Sequence, residues 1–271
     1  MDPLATDPPL DPDFPATTPA VTFVSGGETL LGVLHVPAGR GPHPVVVLLH
    51  GFPGNERNFD LAQVLRRAGF ASLVFHYRGS WGVGGTWSWA HVLEDAAAVL
   101  AALRDPGVAA THRLDPARLA LVGHSLGGFA ALMTTAADPS VTAVASIAGF
   151  DFGTVAALCR ADPGVRAAWV EAFDGELAPL RGTSGEALVA EMEAAGESWR
   201  LASLAPMLAH RPVLLVGTGR DAVSPHELHH DPLVAAYADG HLEHHVFATD
   251  HALSDHRVTL ARTVVGFLQH L

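Results

Sequence analysis

Apolar positions are arranged along the chain in two rhythms. Two short segments that alternate apolar and polar residues, 21–24 and 30–36, flank Gly26-Gly27 and predict an antiparallel hairpin. Continuous apolar runs follow at 45–49, 71–77, 119–122, 141–147 and 212–217, the pattern of strands covered on both faces, and 244–247 closes the series. Between them the spacing changes to the helical period and predicts helices over about 58–68, 89–103, 126–137 and 255–268. Asp105-Pro106-Gly107 reads as the stop of the second helix. Strands alternating with helices of this length imply a mostly parallel sheet with helices on both faces, a three-layer α/β sandwich.

Two stretches break the rhythm. Residues 1–20 are rich in proline and aspartate and predict an extended, partly mobile arm. Some sixty residues separate the strand ending near Ile147 from the one starting at Pro212, far more than a crossover of about a dozen residues needs. This stretch has helical composition and carries Phe150, Phe152, Trp169, Phe173 and Trp199, so it reads as an insertion. The expected organisation is an arm (1–20), one α/β core (21–149 and 206–271) and a helical insertion (150–205). No internal repeat is evident.

Composition narrows the chemistry. With 49% hydrophobic and 16% charged residues, the 271-residue chain can bury a large core. All 16 basic side chains are arginine, which excludes a lysine Schiff base, a serine-lysine dyad and the lysine of a phosphate-binding loop. One cysteine, Cys159, excludes an internal disulfide and a thiolate metal cage, and is expected to be a small buried residue. A net charge of -12 with scattered arginines disfavours nucleic acid and anionic membranes. Neither a basic leader nor a spanning apolar run is evident, so the expectation is a cytoplasmic protein whose partner is a small molecule.

The segment Gly123-His124-Ser125-Leu126-Gly127 fits G-x-S-x-G between a predicted strand and a predicted helix. There a sharp turn would hold Ser125 in a strained conformation with Oγ above the sheet. A serine hydroxyl is a weak nucleophile and needs a base oriented by an acid. Asp221 stands in the loop after the strand at 212–217, and His251 and His256 stand after the last strand, all at carboxyl ends. Asp250 and Asp255 are weaker candidates for the acid. An oxyanion needs two N–H donors, expected from Leu126, the residue after the nucleophile, and from Phe52 in the loop His50-Gly51-Phe52-Pro53-Gly54.

These stretches, with Arg78-Gly79-Ser80-Trp81-Gly82 and Thr249-Asp250-His251, resemble the α/β-hydrolase superfamily over about 45–271, most closely its bacterial esterase, dienelactone-hydrolase-like and prolyl-oligopeptidase-like members. The resemblance implies a Ser125-Asp221-His251 triad, favours His251 over His256, and makes the insertion a cap or lid. The function it implies is a cofactor-independent serine hydrolase of small to medium, fairly apolar carboxylic esters, acting through an acyl-enzyme. An exopeptidase or acylaminoacyl peptidase is the alternative on the same fold, although 271 residues leave little room for the large gate such enzymes carry. A noncatalytic binding protein is the alternative from another class.

Other motifs carry less. His226-Glu227-Leu228-His229-His230 matches H-E-x-x-H, but Pro225 and Asp231-Pro232 bracket it too closely for the long helix a zinc site requires, so no metal is expected. The glycine-rich stretch 78–85 lacks the G-x-G-x-x-G spacing of a dinucleotide loop, so no nicotinamide or flavin is expected. It reads as a loop beside the site, with Trp81 and Trp87 either walling a pocket or packing.

Overall fold

Strand propensity in the buried runs produces one eight-stranded sheet in the computed structural model, which describes residues 2–269. The strands are β1 (Ala20–Ser25), β2 (Glu28–His35), β3 (His43–Leu49), β4 (Ala71–Phe75), β5 (Leu114–His124), β6 (Ala143–Ile147), β7 (Pro212–Thr218) and β8 (His241–Phe247). They lie in the order β1-β2-β4-β3-β5-β6-β7-β8. The pairs β1/β2 and β2/β4 are antiparallel and all others are parallel. Gly26 and Gly27 make the hairpin turn at φ 56° and 83°, the left-handed pair that a two-residue turn demands.

Side chains of β3 show why these runs are continuously apolar. Val45, Val47 and Leu49 face one core, Val46 and Leu48 the other, and all five are buried. The first core is covered by α2 (Trp89–Leu103) and α4 (Leu126–Ala137), the second by α1 (Phe59–Arg67) and α11 (Arg257–Leu268). The result is the expected three-layer arrangement.

Several boundaries differ from the sequence reading, most of all the start of β5 at Leu114 instead of Leu119, and two further differences have a clear local cause. Asp105-Pro106-Gly107 does not simply stop α2, because Asp105 accepts the N–H groups of Gly107 (2.8 Å) and Val108 (3.0 Å) and so caps a new helix, α3 (Pro106–His112). Strand β8 begins at His241, three residues early; it is the sheet's far edge and largely exposed, so its first half carries no apolar signal.

The residues before β1 begin with a turn, where Ala5 N–H donates to Asp2 O (3.1 Å), and are held to the body along their length, first by Arg67 Nε–H donating to Pro3 O (2.7 Å). Thr17 bridges Val36, Gly39 N–H donates to Phe14 O (2.8 Å), and Arg113 donates to Pro15 O (2.9 Å). Between β6 and β7 the chain forms α5 (Phe152–Ala161), α6 (Pro163–Asp174), α7 (Gly185–Ala195), two 3-10 turns and α8 (Ala205–Leu208). Glu191 on α7 caps the start of α2 by accepting Trp89 N–H (3.0 Å) and Ala90 N–H (2.7 Å). Buried Asp151 caps α5 through Thr154 N–H (3.0 Å) and also accepts Leu201 N–H (3.2 Å), so both ends of the insertion meet at one carboxylate. After β7 come the short α9 (His226–His229) and α10 (Asp231–Tyr237). No helix among the described residues is long and apolar enough to cross a membrane.

Candidate active site

Ser125 sits between β5 and α4 with φ 57° and ψ -119°, a backbone conformation that side chains other than glycine rarely adopt. The turn survives because its neighbours fix it: Ser125 N–H donates to Ile147 O (2.9 Å), and Ser125 O accepts from Gly128 and Phe129. Glycine is required on either side by close approach. A Cβ on Gly123 would overlap the backbone of Gly127, and one on Gly127 would overlap the Leu49 carbonyl. Ser125 Oγ has no hydrogen-bond partner among the described residues.

Asp221, after β7, and His251, after β8, are joined by a bond of 2.6 Å in which His251 Nδ1 donates to Oδ2. The carboxylate also accepts Thr218 Oγ1 (2.6 Å), Ser224 Oγ (3.1 Å), Val223 N–H (2.8 Å) and Ser224 N–H (2.9 Å). Burial alone would raise its pKa, but His251, Thr218 and Ser224 outweigh burial and hold Asp221 well below the usual carboxylate range. An ionised Asp221 holds the imidazole with its proton on Nδ1 and leaves Nε2 free to accept another.

Two further histidines, neither singled out by sequence, support these parts. His124 is buried and its Nε2–H donates to the His251 carbonyl (2.7 Å), with the rings 4.9 Å apart. Burial, then the neighbouring His251, lowers its pKa to about 3 and keeps it neutral. His50 is also buried, with its pKa lowered to about 3 chiefly by burial, and its Nδ1–H donates to Gly51 O (2.8 Å). In a trans peptide the carbonyl and the next N–H point opposite ways, so this bond turns the Phe52 N–H away from His50. Among the described residues, neither Phe52 N–H nor Leu126 N–H has an acceptor. Leu126 is the first residue of α4, where an unpaired N–H adds to the positive end of the helix dipole.

These groups border a cleft of about 540 Å³ that reaches His251, His124, Gly51 and Phe52. A smaller cavity of about 40 Å³ contains Ser125 and Leu126, and the two share Phe52, Trp169, Phe173 and Val223. The cavities of Ser125 and His251 are therefore neighbours with common walls. Trp169 and Phe173 come from α6, so the insertion supplies one wall.

The remaining candidates lie elsewhere. His256 pairs with Asp255 (2.9 Å) and stacks on Phe247, while Asp250 accepts Ser254 N–H (2.8 Å). Asp255 is bound by Thr249 and Arg220. Neither Trp81 nor Trp87 borders the cleft: Trp81 donates to Pro53 O (2.8 Å) under Arg57, and Trp87 is buried against Phe52 and Tyr77. His229 accepts Asp151 N–H (3.0 Å) and stacks on Phe150, and His230 packs under Gly217. The described residues contain no cluster of three metal-ligating side chains. Cys159 is buried in α5.

Residues 44–214 match the family model of the alpha/beta hydrolase fold. The chain belongs to the α/β-hydrolase family. As an α/β-hydrolase it shares 31% identity over 168 residues with an uncharacterized 31.7 kDa protein encoded in the traX-finO intergenic region of Escherichia coli. That match covers 60% of this chain and 57% of the relative, so the chain spans little more than half of that protein. Among solved structures, this α/β-hydrolase is similar to Est1E from Butyrivibrio proteoclasticus with bound ferulic acid, with a TM-score of 0.74, 18% identity and coverage of 93% and 98% of the two chains. An esterase from Pyrococcus furiosus superposes with a TM-score of 0.69 at 16% identity over 98% and 97% of the chains. The acylaminoacyl peptidase of Pyrococcus horikoshii gives a TM-score of 0.68 at 16% identity, over 94% of this chain and 41% of that one. At these identities the structural likeness speaks for the fold alone.

Proposed function

We propose that the protein is a serine hydrolase that cleaves carboxylic esters of small to medium, fairly apolar substrates through an acyl-enzyme. The observation that carries the reading is the Asp221–His251 hydrogen bond beside a cleft that shares Phe52, Trp169, Phe173 and Val223 with the cavity at the strained Ser125 turn. Ser125 Oγ attacks the ester carbonyl, His251 Nε2 takes its proton, and Asp221 stabilises the imidazolium. The Phe52 and Leu126 N–H groups hold the oxyanion, and water then releases the acid by the same steps. Residues 150–205 act as a cap, because α6 places Trp169 and Phe173 over the cleft.

The test is hydrolysis of p-nitrophenyl acetate by wild type and Ser125→Ala. The expected loss in kcat is on the order of a million-fold, with fluorophosphonate labelling abolished in the variant. A Ser125→Ala protein that retains wild-type turnover removes the serine mechanism. Aminoacyl p-nitroanilides run in parallel separate an esterase from a peptidase.

A further inference from the structure

We propose that the site is built for esters that join a short acyl group to a bulky apolar alcohol, an inference that rests on the serine-hydrolase reading above. The space at the reacting serine is unequally divided. The cavity containing Ser125 and Leu126 has a volume of about 40 Å³ and ends on Trp89, Phe150 and Phe152. The cavity containing His251 has about 540 Å³ and opens past Glu56 and Glu176.

The small cavity is closed by an interlocked aromatic wall. Trp89, Phe150 and Phe152 are 0%, 4% and 2% exposed. Phe152 lies 4.7 Å from Trp89, 4.8 Å from Phe150 and 4.7 Å from Phe129 between ring centres. Trp89 is further fixed by its Nε1–H, which donates to Leu188 O (3.0 Å). Rings packed on several sides cannot swing away to admit a long chain without leaving a void or a clash.

Proton transfer decides which half of the ester occupies which cavity. When Oγ bonds to the carbonyl carbon, its proton moves to His251 Nε2. When the tetrahedral species collapses, the bond from carbon to the alcohol oxygen breaks, and that same proton leaves Nε2 for the departing oxygen. The alcohol oxygen must then lie within hydrogen-bond reach of His251, which places the alcohol in the large cavity. With the carbonyl oxygen aimed at the Leu126 and Phe52 N–H groups, the acyl chain is left with the small one. A cavity of 40 Å³ holds on the order of three water-sized groups, which suits acetyl to butyryl. The alcohol meets Trp169, Phe173, Ala168 and Ala172 of α6, an apolar helix face.

Two ester series on the intact protein test this. In the first, p-nitrophenyl acetate, butyrate and octanoate vary the acyl chain at a constant leaving group. In the second, ethyl, benzyl and naphthylmethyl acetates vary the alcohol at similar leaving-group acidity. The expected result is a fall in kcat/KM of at least about ten-fold from butyrate to octanoate and a rise across the acetates. In Phe150→Ala, with Phe152→Leu as the milder opening, the octanoate-to-acetate ratio should rise about ten-fold or more. Wild type that handles octanoate as well as acetate overturns the inference and leaves the serine-hydrolase reading standing. So do folded variants that keep the wild-type profile. Failure to hydrolyse any ester, together with an unlabelled Ser125, overturns both. If neither variant folds, the wild-type series decides alone.

Discussion

Replacing Asp221 by asparagine preserves the side chain's shape and changes only what its outer atoms offer. In the folded protein Oδ1 accepts two backbone N–H groups, from Val223 (2.8 Å) and Ser224 (2.9 Å). Oδ2 accepts His251 Nδ1–H (2.6 Å) and the Thr218 and Ser224 hydroxyls (2.6 and 3.1 Å). Asparagine has a single acceptor oxygen, and the fixed backbone donors claim it because hydroxyls can rotate and a backbone cannot. Its NH2 group then faces His251 Nδ1, which can accept only when the imidazole proton sits on Nε2. In that tautomer Nε2 has no lone pair to take the Ser125 proton. The expected loss in kcat is on the order of 10⁴-fold, or roughly 5 kcal/mol of transition-state stabilisation, with KM little changed. The assay is p-nitrophenyl acetate hydrolysis at pH 8 on a variant whose circular dichroism matches wild type. A second readout is thermal. Because the folded carboxyl is held below its ordinary value, its stabilisation is present above the unfolded pKa of about 4 and is lost as pH falls through the folded one. The melting temperature of Asp221→Asn should therefore be lower at pH 7, with the gap closing only well below pH 4. A folded variant within ten-fold of wild-type kcat would refute the reasoning.

Other consequences follow from burial and close approach. His50 and His124 are buried and neutral, with pKa values lowered to about 3, whereas in the unfolded chain such groups protonate near about 6.5. The unfolded state then binds more protons as pH falls toward and below about 6.5, so stability should fall by about 4 kcal/mol between pH 7.5 and 5 from these two groups; urea unfolding at pH 7.5 and 5.0 that gives equal free energies contradicts this. Gly127→Ala should cost more than about 4 kcal/mol, because its methyl meets the Leu49 backbone, which cannot rotate away. A soluble Gly127→Ala with a wild-type melting temperature would show that the turn can relax. Asp151→Ala should destabilise by about 2–4 kcal/mol, since Thr154 N–H and Leu201 N–H both lose their acceptor, and limited proteolysis should cut within 150–205 before the rest of the chain.

Much of this architecture is legible in the sequence, and the exceptions share a cause. Helices α2 and α4 run over the residues their periodicity predicts, because each buries a broad apolar face close to its own local signal. The Ser125 turn is legible because only glycines fit where strand and helix nearly touch. What the sequence conceals depends on partners distant along the chain. His124 and His50 are two among 17 histidines, and their importance comes from a carbonyl 127 residues away and from a peptide that must be turned. Thr218 and Ser224 offered a faint signal, as short hydroxyl side chains three residues on either side of Asp221. Trp81 and Trp87 looked equally suited to wall or core, and only the folded loop shows both packing behind Phe52 and Pro53. Asp105-Pro106-Gly107 carries the letters of both a stop and a start, and the start is realised because α3 packs onto β5.

The strand order also divides the labour of the site between two lengths of chain. Ser125, Phe52 and Leu126 all precede residue 150, whereas Asp221 and His251 both follow residue 206, and the two lengths adjoin within the sheet only where Val144–Ile147 pairs with Val213–Val216. A nick within 150–205 would leave each fragment chemically inert by itself. Under the proposed mechanism, turnover would return only when the two fragments dock side by side, so the chain could be split into complementing halves whose reunion is read out as the proposed ester hydrolysis.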